Sequence, residues 1–161
     1  MYDQQGKIIG LDFGTRRSGI AVSGTEQQIA FPLKSLPTHQ VIPFLKDYIA
    51  QYKVVGIVVG KPLLHNGSSG KMVEQVATFV GRLKATFPEL QIELEDERFT
   101  SIMAQKMLLQ GGDKRKKRQE KGRIDLISAV LILRSYLERS TKVQEGPLEG
   151  KHVQLLGQDE H

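Results

Sequence analysis

The stretch KIIGLDFGTRRSGIAVSG, residues 7–24, predicts two short strands joined by a glycine-containing turn. Apolar and β-branched residues cover 7–13 and 19–23, and the segment GTRRS between them has the length of a turn. A third, weaker strand is predicted over 28–34, where Pro32 favours a position at the edge of the sheet. We therefore expect the chain to begin with a three-stranded antiparallel meander.

The remainder of the chain alternates helical and strand patterns. Helices are predicted over residues 38–52, 71–87, 100–110 and 124–138. The evidence is apolar residues at helical spacing, or residues typical of helix starts and ends. The apolar run at 54–60 predicts a strand covered on both faces, and 90–96 alternates like a strand covered on one face. This order predicts an α/β fold in which a mixed β-sheet, the meander plus parallel strands, is flanked by helices.

Length and composition limit the class of protein. A chain of 161 residues is long enough for one hydrophobic core, so we expect a single domain over 1–138 and a polar, flexible tail over 139–161. The absence of cysteine excludes disulfides and thiolate metal sites. No apolar run approaches the length of about 18 residues that a membrane span needs, and no signal peptide is evident. These features predict a cytoplasmic protein with no membrane partner.

The net charge of +5 favours an anionic partner, and much of the positive charge is concentrated in one segment. That segment comprises Lys114, Arg115, Lys116, Lys117, Arg118, Lys121 and Arg123. Such a run suits contacts with nucleic-acid phosphates, although an inert solvated loop is the alternative. Because it lacks aromatic residues for base stacking, we expect it to contact the backbone rather than the bases. Arg16 and Arg17 in the first turn are further candidates for phosphate contacts.

Asp12 interrupts an otherwise apolar strand at its end. It shares strand parity with Ile8 and Gly10, so it is expected on the same face of the sheet as they are. A lone carboxylate there costs several kcal/mol unless it is paired, hydrogen-bonded or bound to a cation. Two interpretations stay open: Asp12 is a metal ligand, or it accepts hydrogen bonds from amides of the following turn.

Two further acidic positions could join Asp12. Asp125 begins the last predicted helix, and small residues one turn later would let this end of the helix approach the sheet, although capping of the helix is an alternative role. In ELEDERFT, residues 93–100, strand alternation favours Asp96 over Glu97 as the inward-facing carboxylate. Three such groups would offer the oxygen ligands that Mg²⁺ or Mn²⁺ prefers, and carboxylates of this kind hold two ions about 4 Å apart in phosphodiester hydrolysis.

Four segments together resemble the bacterial YqgF/RuvX family. They are GLDFGTRRSGIAVS, VVGKPLLHNGSSG, DERFTS and RIDLISAVLILRSYLE, and the resemblance extends over residues 7–138. It implies an RNase H-like fold, with Asp12, Glu97 and Asp125 as the catalytic, metal-binding residues. In this respect the resemblance favours Glu97 over Asp96. It also implies phosphate contacts from Arg98 and the basic segment. The sequence departs from the family at Lys61 and residues 64–66.

Members of that family are described as pre-16S rRNA nucleases or as Holliday junction resolvases. The resemblance therefore implies a hydrolase acting on ester bonds in 5′-end processing of precursor 16S rRNA, with structured RNA and ribosomal particles as partners. A Holliday junction resolvase acting on branched DNA is an alternative, which would need two sites and hence a homodimer rather than a monomer. A ribosome assembly factor that binds nucleic acid without catalysis is another. An ATPase of the actin type would need two such domains, for which 161 residues are too few.

Overall fold

The computed structural model describes residues 5–62, 70–97 and 122–141, which form five strands and three α-helices. In chain order these are β1 (Lys7–Asp12), β2 (Arg17–Ser23), β3 (Ala30–Pro37), α1 (Val41–Gln51), β4 (Val54–Lys61), α2 (Gly70–Thr86), β5 (Gln91–Asp96) and α3 (residues 122–141). A single turn of 3₁₀ helix, Thr38–Gln40, precedes α1. The predicted order of elements is confirmed for this part of the chain.

The five strands form one mixed sheet in the order β3-β2-β1-β4-β5. The first three strands are antiparallel, and β1, β4 and β5 are parallel. The predicted meander is confirmed, and so is the edge position of β3. Pro32 pairs with Ala21 where the β2–β3 register shifts, an irregularity that an edge strand tolerates. β3 continues beyond its predicted end because pairing extends to Arg17 and Pro37.

Helices cover both faces of the sheet and bury a core on each. On one face α1 and α2 pack over Ile9, Leu11 and other alternate residues of the central strands. On the opposite face α3 packs over Ile8, Ala21 and Val58. Each fully buried leucine or isoleucine contributes about 1.5–3 kcal/mol relative to an exposed one, so these two cores account for the layering.

The approach of α3 to the sheet depends on glycines in three adjacent strands. A Cβ at Gly10 of β1 would lie 2.7 Å from the Leu133 Cβ, and one at Gly19 of β2 would overlap the Asp125 carbonyl. A Cβ at Gly60 of β4 would lie 2.5 Å from the Ile132 Cδ1. A larger residue at Gly10 or Gly19 would push the helix away, whereas one at Gly60 would first displace the side chains of Ile132 and Glu97, so the glycines set the distance between α3 and the sheet.

The last helix is longer than predicted, and it is buried on one side only. Its described part covers 122–141, two residues more at the start and three more at the end than the predicted range 124–138, and Ile127 on its outer side is 38% exposed. The predicted helix over 100–110 lies outside the described residues, as do most of the basic segment and residues 142–161 of the predicted tail. Within the described ranges, none of the helices has the length and apolarity needed to cross a membrane.

We expect Gly10→Ala to destabilise the fold by about 1–3 kcal/mol, because the added methyl group overpacks the contact between β1 and α3. Gly81→Ala is the matched control. Its Cβ would meet nothing within 4 Å, so replacing a glycine inside α2 should stabilise the protein by about 0.5–1 kcal/mol. Urea unfolding of both variants measures the difference. Equal stability of the two variants would contradict the glycine-dependent contact.

Candidate active site

Asp12 lies at the carboxyl end of β1 and is only 4% exposed. It pairs with Gly19 of β2, and the β1–β4 register places Gly60 beside it on the other side, since Leu11 pairs with Val59. As predicted, it lies on the same face as Ile8 and Gly10, beneath α3. With a glycine on each flanking strand, the space beside this carboxylate is open to groups from other elements.

Asp125 enters this space from above, on the first turns of α3. Its backbone lies directly over Gly19, the residue that is paired with Asp12. Asp125 is 7% exposed, and the predicted small neighbours, Ser128 and Ala129, are both buried against the sheet. The sequence-based expectation that small residues let this end of the helix approach the sheet agrees with the structure.

Glu97 reaches the same region from β5. Its N–H donates to the Lys61 carbonyl at 3.0 Å, which extends the β4–β5 pairing one residue beyond the strand. Its carboxylate Oε1 lies 2.9 Å from the point where a Cβ of Gly60 would stand. Because Gly60 is the β4 neighbour of Asp12, the Glu97 carboxylate lies on the Asp12 side of the sheet.

Strand alternation favoured Asp96 because it lies on the apolar face of β5, but Glu97 is the one of the two that lies on the same face of the sheet as Asp12. The apolar face of β5 does point inward, since Ile92 packs against the core under α1 and α2. The carboxylates lie on the opposite face, beneath α3, where Gly60 pairs with Glu95 and borders Glu97. A strand with an inward apolar face therefore also carries its site residue on the other, more polar face.

Asp12, Glu97 and Asp125 thus lie toward one end of the sheet, at the end of β1, just after β5 and on α3. All are oxygen donors, the type that hard divalent cations take, and the glycines at 19 and 60 leave the room that a larger side chain would fill. Like charges held near one another repel, so a cation is the natural complement of the set. Within 5–62, 70–97 and 122–141, however, no three acidic or histidine side chains stand close enough to form a ready-made metal site.

A ring of hydrogen bonds fixes the turn that follows Asp12. The Gly14 N–H donates to Ser18 Oγ at 3.3 Å, and Thr38 Oγ1 donates to the Gly14 carbonyl at 2.6 Å. Ser18 Oγ and Thr38 Oγ1 are 2.9 Å apart, so Ser18, the hydroxyl with a proton to spare, donates to Thr38. On the other side, the Phe13 ring packs on Phe79 of α2 with centroids 4.9 Å apart. The segment around Asp12 is therefore held on both sides.

The predicted phosphate-contacting residues divide into three groups. Arg16 and Arg123 are exposed, and in the sequence they lie close to Asp12 and Asp125, respectively. Arg17 instead donates to the carbonyl and hydroxyl oxygens of Ser35, both at 3.2 Å, and so ties β2 to β3. The rest of the set lies outside the described residues, namely Arg98, Lys114, Arg115, Lys116, Lys117, Arg118 and Lys121.

Sequence reasoning missed a part-buried ion pair that joins α3 to β5. Glu95, 8% exposed, accepts hydrogen bonds from Ser135 Oγ at 3.1 Å and from Arg139 Nη2 at 2.7 Å. The hydrogen bond to Glu95 is the main reason that the pKa of Arg139 is raised. The pair fastens the far end of α3 to the strand that leads into Glu97. Its signal in the sequence was the alternation of Glu93, Glu95 and Glu97 on one face of β5.

Comparison with known proteins decides the family. The sequence profile of the RuvX family, described as Holliday junction resolvase, matches residues 6–139. The chain belongs to the RuvX family. The RNase H-like fold of that family agrees with the sheet order and strand directions above, so the predicted fold is confirmed. Nucleases with this fold generally use divalent metal ions.

Individual relatives of this RuvX chain match it over most of their own length. One from Parabacteroides distasonis is 44% identical over 83% of this chain and 95% of its own. Another, from Bacteroides thetaiotaomicron, is 43% identical over 82% of this chain and 96% of its own. A relative from Flavobacterium johnsoniae is 42% identical over 81% of this chain and 95% of its own. All three carry the name "Putative pre-16S rRNA nuclease".

Among solved structures, Archaeoglobus fulgidus Pelota aligns with a TM-score of 0.39 and 14% identity, over 91% of this chain and 40% of that one. That likeness is too low to bear on fold or function.

We expect Ser18→Ala to destabilise the protein by about 1–2 kcal/mol, because it leaves the part-buried Gly14 amide and Thr38 hydroxyl without their shared partner. Thr78→Ala is the control. Thr78 Oγ1 donates to the Glu74 carbonyl on the exposed side of α2, so its loss should change the free energy of unfolding by less than about 0.5 kcal/mol. Thermal or urea unfolding distinguishes them. If the two variants lose the same stability, the hydrogen-bonded ring does not hold the turn.

Proposed function

We propose that this RuvX chain is a divalent-metal-dependent nuclease that hydrolyses phosphodiester bonds in 5′-end processing of precursor 16S rRNA. The observation that supports the proposal is the position of Asp12, Glu97 and Asp125 toward one end of the sheet, near Gly19 and Gly60. The names of the relatives support the substrate, since three of them are called pre-16S rRNA nucleases.

Asp12, Glu97 and Asp125 are the residues that would hold Mg²⁺ or Mn²⁺, with two ions as the expected number. Ions held in this way supply a hydroxide for attack and neutralise charge on the leaving oxygen. The backbone around Asp12 is fixed by strand pairing on both sides of β1 and by the ring of hydrogen bonds among Gly14, Ser18 and Thr38. Glu97 comes one residue after its strand and has more freedom to adjust.

The exposed Arg16 and Arg123 lie close in sequence to Asp12 and Asp125 and would orient the phosphate backbone of the substrate. Together with the basic segment, they predict an affinity for RNA that falls as salt concentration rises. The physiological setting of this reaction is the cytoplasm, with precursor rRNA or ribosomal particles as partners. A monomer is sufficient for trimming one RNA end, because only one phosphodiester bond is cut.

A Holliday junction resolvase is the second candidate, and the description of the family profile is the observation that favours it. A four-way junction is cut on two strands, so this function needs a homodimer with two sites. The carboxylate chemistry would be the same, and only the substrate and the assembly would differ.

One experiment separates the candidates. The purified protein is given precursor 16S rRNA and a four-way DNA junction in parallel, each with Mg²⁺, with Mn²⁺ and with EDTA. We expect metal-dependent cleavage of the precursor at a defined position. Cleavage of the junction alone would indicate the resolvase. Binding of the precursor with no cleavage under any condition would indicate a non-catalytic assembly factor.

Asp12→Asn should abolish cleavage and preserve binding. Loss of a metal-ligating carboxylate should cost more than about 100-fold in rate, beyond the effect seen when only a supporting group is removed. Binding should stay the same or tighten, because one charge that repels phosphate is gone. Rates under saturating metal and affinities by filter binding measure the two effects. Normal cleavage by this variant would show that Asp12 is not a metal ligand.

Gly60→Ala tests the position of Glu97 separately from its charge. The added Cβ would meet only the ends of the Ile132 and Glu97 side chains, which can move, so the loss of stability should be smaller than for Gly10→Ala. The Glu97 carboxylate would be displaced, and cleavage should fall by about 10-fold or more. Activity and urea unfolding are measured together. A variant with full activity would show that Glu97 does not act from its place above Gly60.

A further inference from the structure

Three aromatic rings and two lysines form a continuous stack on the face of the sheet opposite α3. We call it the aromatic ladder, composed of Lys34, Phe44, Tyr48, Tyr52 and Lys7. The Phe44 and Tyr48 ring centroids are 6.1 Å apart, and those of Tyr48 and Tyr52 are 4.6 Å apart. Lys34 Nζ lies 5.5 Å from the Phe44 centroid, and Lys7 Nζ lies 5.7 Å from the Tyr52 centroid. A cation therefore covers each end of the ladder.

The ladder is anchored on one side and open on the other. Phe44 and Tyr48 pack partly against the core under α1, and burial together with the neighbouring Tyr52 raises the pKa of Tyr48. Tyr52 itself is 47% exposed. Phe31 is 49% exposed and pairs with Val22, whose side chain belongs to that core, so Phe31 lies on the same face of the sheet. Rings held in this way lose little freedom when a ligand stacks on them.

The charge on this surface suits a polyanion. Both ionisable groups that contact the ends of the ladder are lysines. Asp47 is the acidic residue nearest in sequence on the exposed side of α1, one helical turn after Phe44. Aromatic faces next to cations are the combination with which proteins bind unpaired nucleotides, where bases stack on the rings and ammonium groups meet phosphates.

We propose that the aromatic ladder, with Phe31, is a platform on which unpaired bases of single-stranded RNA stack. The choice of RNA rests on the proposed function, in which the substrate is a precursor rRNA with an unprocessed 5′ extension. The platform is separate from the carboxylates, since it lies on the other face of the sheet. It would give the enzyme a second binding surface for its substrate. This surface would contact bases, whereas the basic segment would contact phosphates.

In this proposal, incoming bases displace the two lysines from the ring faces that they contact. An ammonium over an exposed ring is a weak contact in water, whereas a base stacked on the same ring is held more strongly. An incoming base can therefore displace Lys7 from Tyr52, and the freed ammonium can pair with the adjacent phosphate. The weak contact between the ammonium and the ring is thus replaced by a stronger stack of base on ring, which favours the nucleotide-bound state over the free state.

The test measures binding without cleavage. All variants carry Asp12→Asn, and binding of fluorescent oligouridylate is followed in EDTA. We expect the double change Phe31→Leu and Tyr52→Leu, which keeps apolar bulk but removes the rings, to weaken binding by about 5-fold or more. Tyr52→Phe should bind like the parent, because the ring is kept. Leu94→Ala, which alters an exposed apolar residue on the opposite edge of the sheet, is the matched control and should have no effect.

A second pair of variants tests the cations. Lys7→Gln should weaken binding and reduce its salt dependence, whereas Lys84→Gln, on the exposed last turn of α2, should change neither. Irradiation of the complex with ultraviolet light should crosslink uridine to Tyr52, and peptide mapping locates the crosslink.

Several results would overturn the proposal. Unchanged affinity of the Phe31/Tyr52 double variant for oligouridylate would exclude stacking. If the double variant lost heparin binding to the same extent, the surface would bind polyanions by charge alone. Tighter ladder-dependent binding of oligothymidylate than of oligouridylate would exclude RNA as the preferred occupant. A parent that sediments as a dimer and a double variant that sediments as a monomer would make the ladder a self-interface. Failure of cleavage by the unmodified chain would overturn the proposed function alone, because these binding assays do not depend on it.

Discussion

The contact on which this structure depends is the close approach of α3 to the sheet over glycines in three neighbouring strands. Gly10, Gly19 and Gly60 let the helix lie almost on the backbone of β1, β2 and β4. That approach buries the second core and brings Asp125 over the strand pair that holds Asp12. The part-buried ion pair of Glu95 and Arg139 fixes the other end of the same helix. Packing and site geometry are therefore consequences of one interface.

The same interface explains why carboxylates can gather at this end of the sheet. Where Gly19 and Gly60 flank Asp12, no side chain fills the space, and acidic groups from β5 and α3 occupy it. If these carboxylates bind a cation, as proposed, the cation would offset their mutual repulsion, which would otherwise oppose folding. The apolar core under α1 and α2 lies on the far side of the sheet and is not involved in this conflict.

Much of the fold could be predicted from the sequence, because periodicity reports which residues share a face. The strands of the meander, the edge position of Pro32 and the face of Asp12 followed in this way. Alternation alone could not decide between Asp96 and Glu97, since it identifies an apolar face but not which layer carries the site. The ion pair of Glu95 and Arg139 joins residues 44 positions apart, and the alternation of glutamates in β5 indicates a polar face but not the partner. The aromatic ladder was hidden for the same reason, because Lys7 and Lys34 lie far in sequence from α1.

The position of α3 also has a consequence for the timing of synthesis. β1 and β2 leave the ribosome early, but Asp125 and the helix that covers their second face come more than a hundred residues later. Domains are completed as their elements emerge, so a nascent chain ending before α3 would have an uncovered apolar face and an incomplete set of carboxylates. The second core and the position of Asp125 over β2 are therefore completed together, at the moment when α3 becomes available to pack on the sheet.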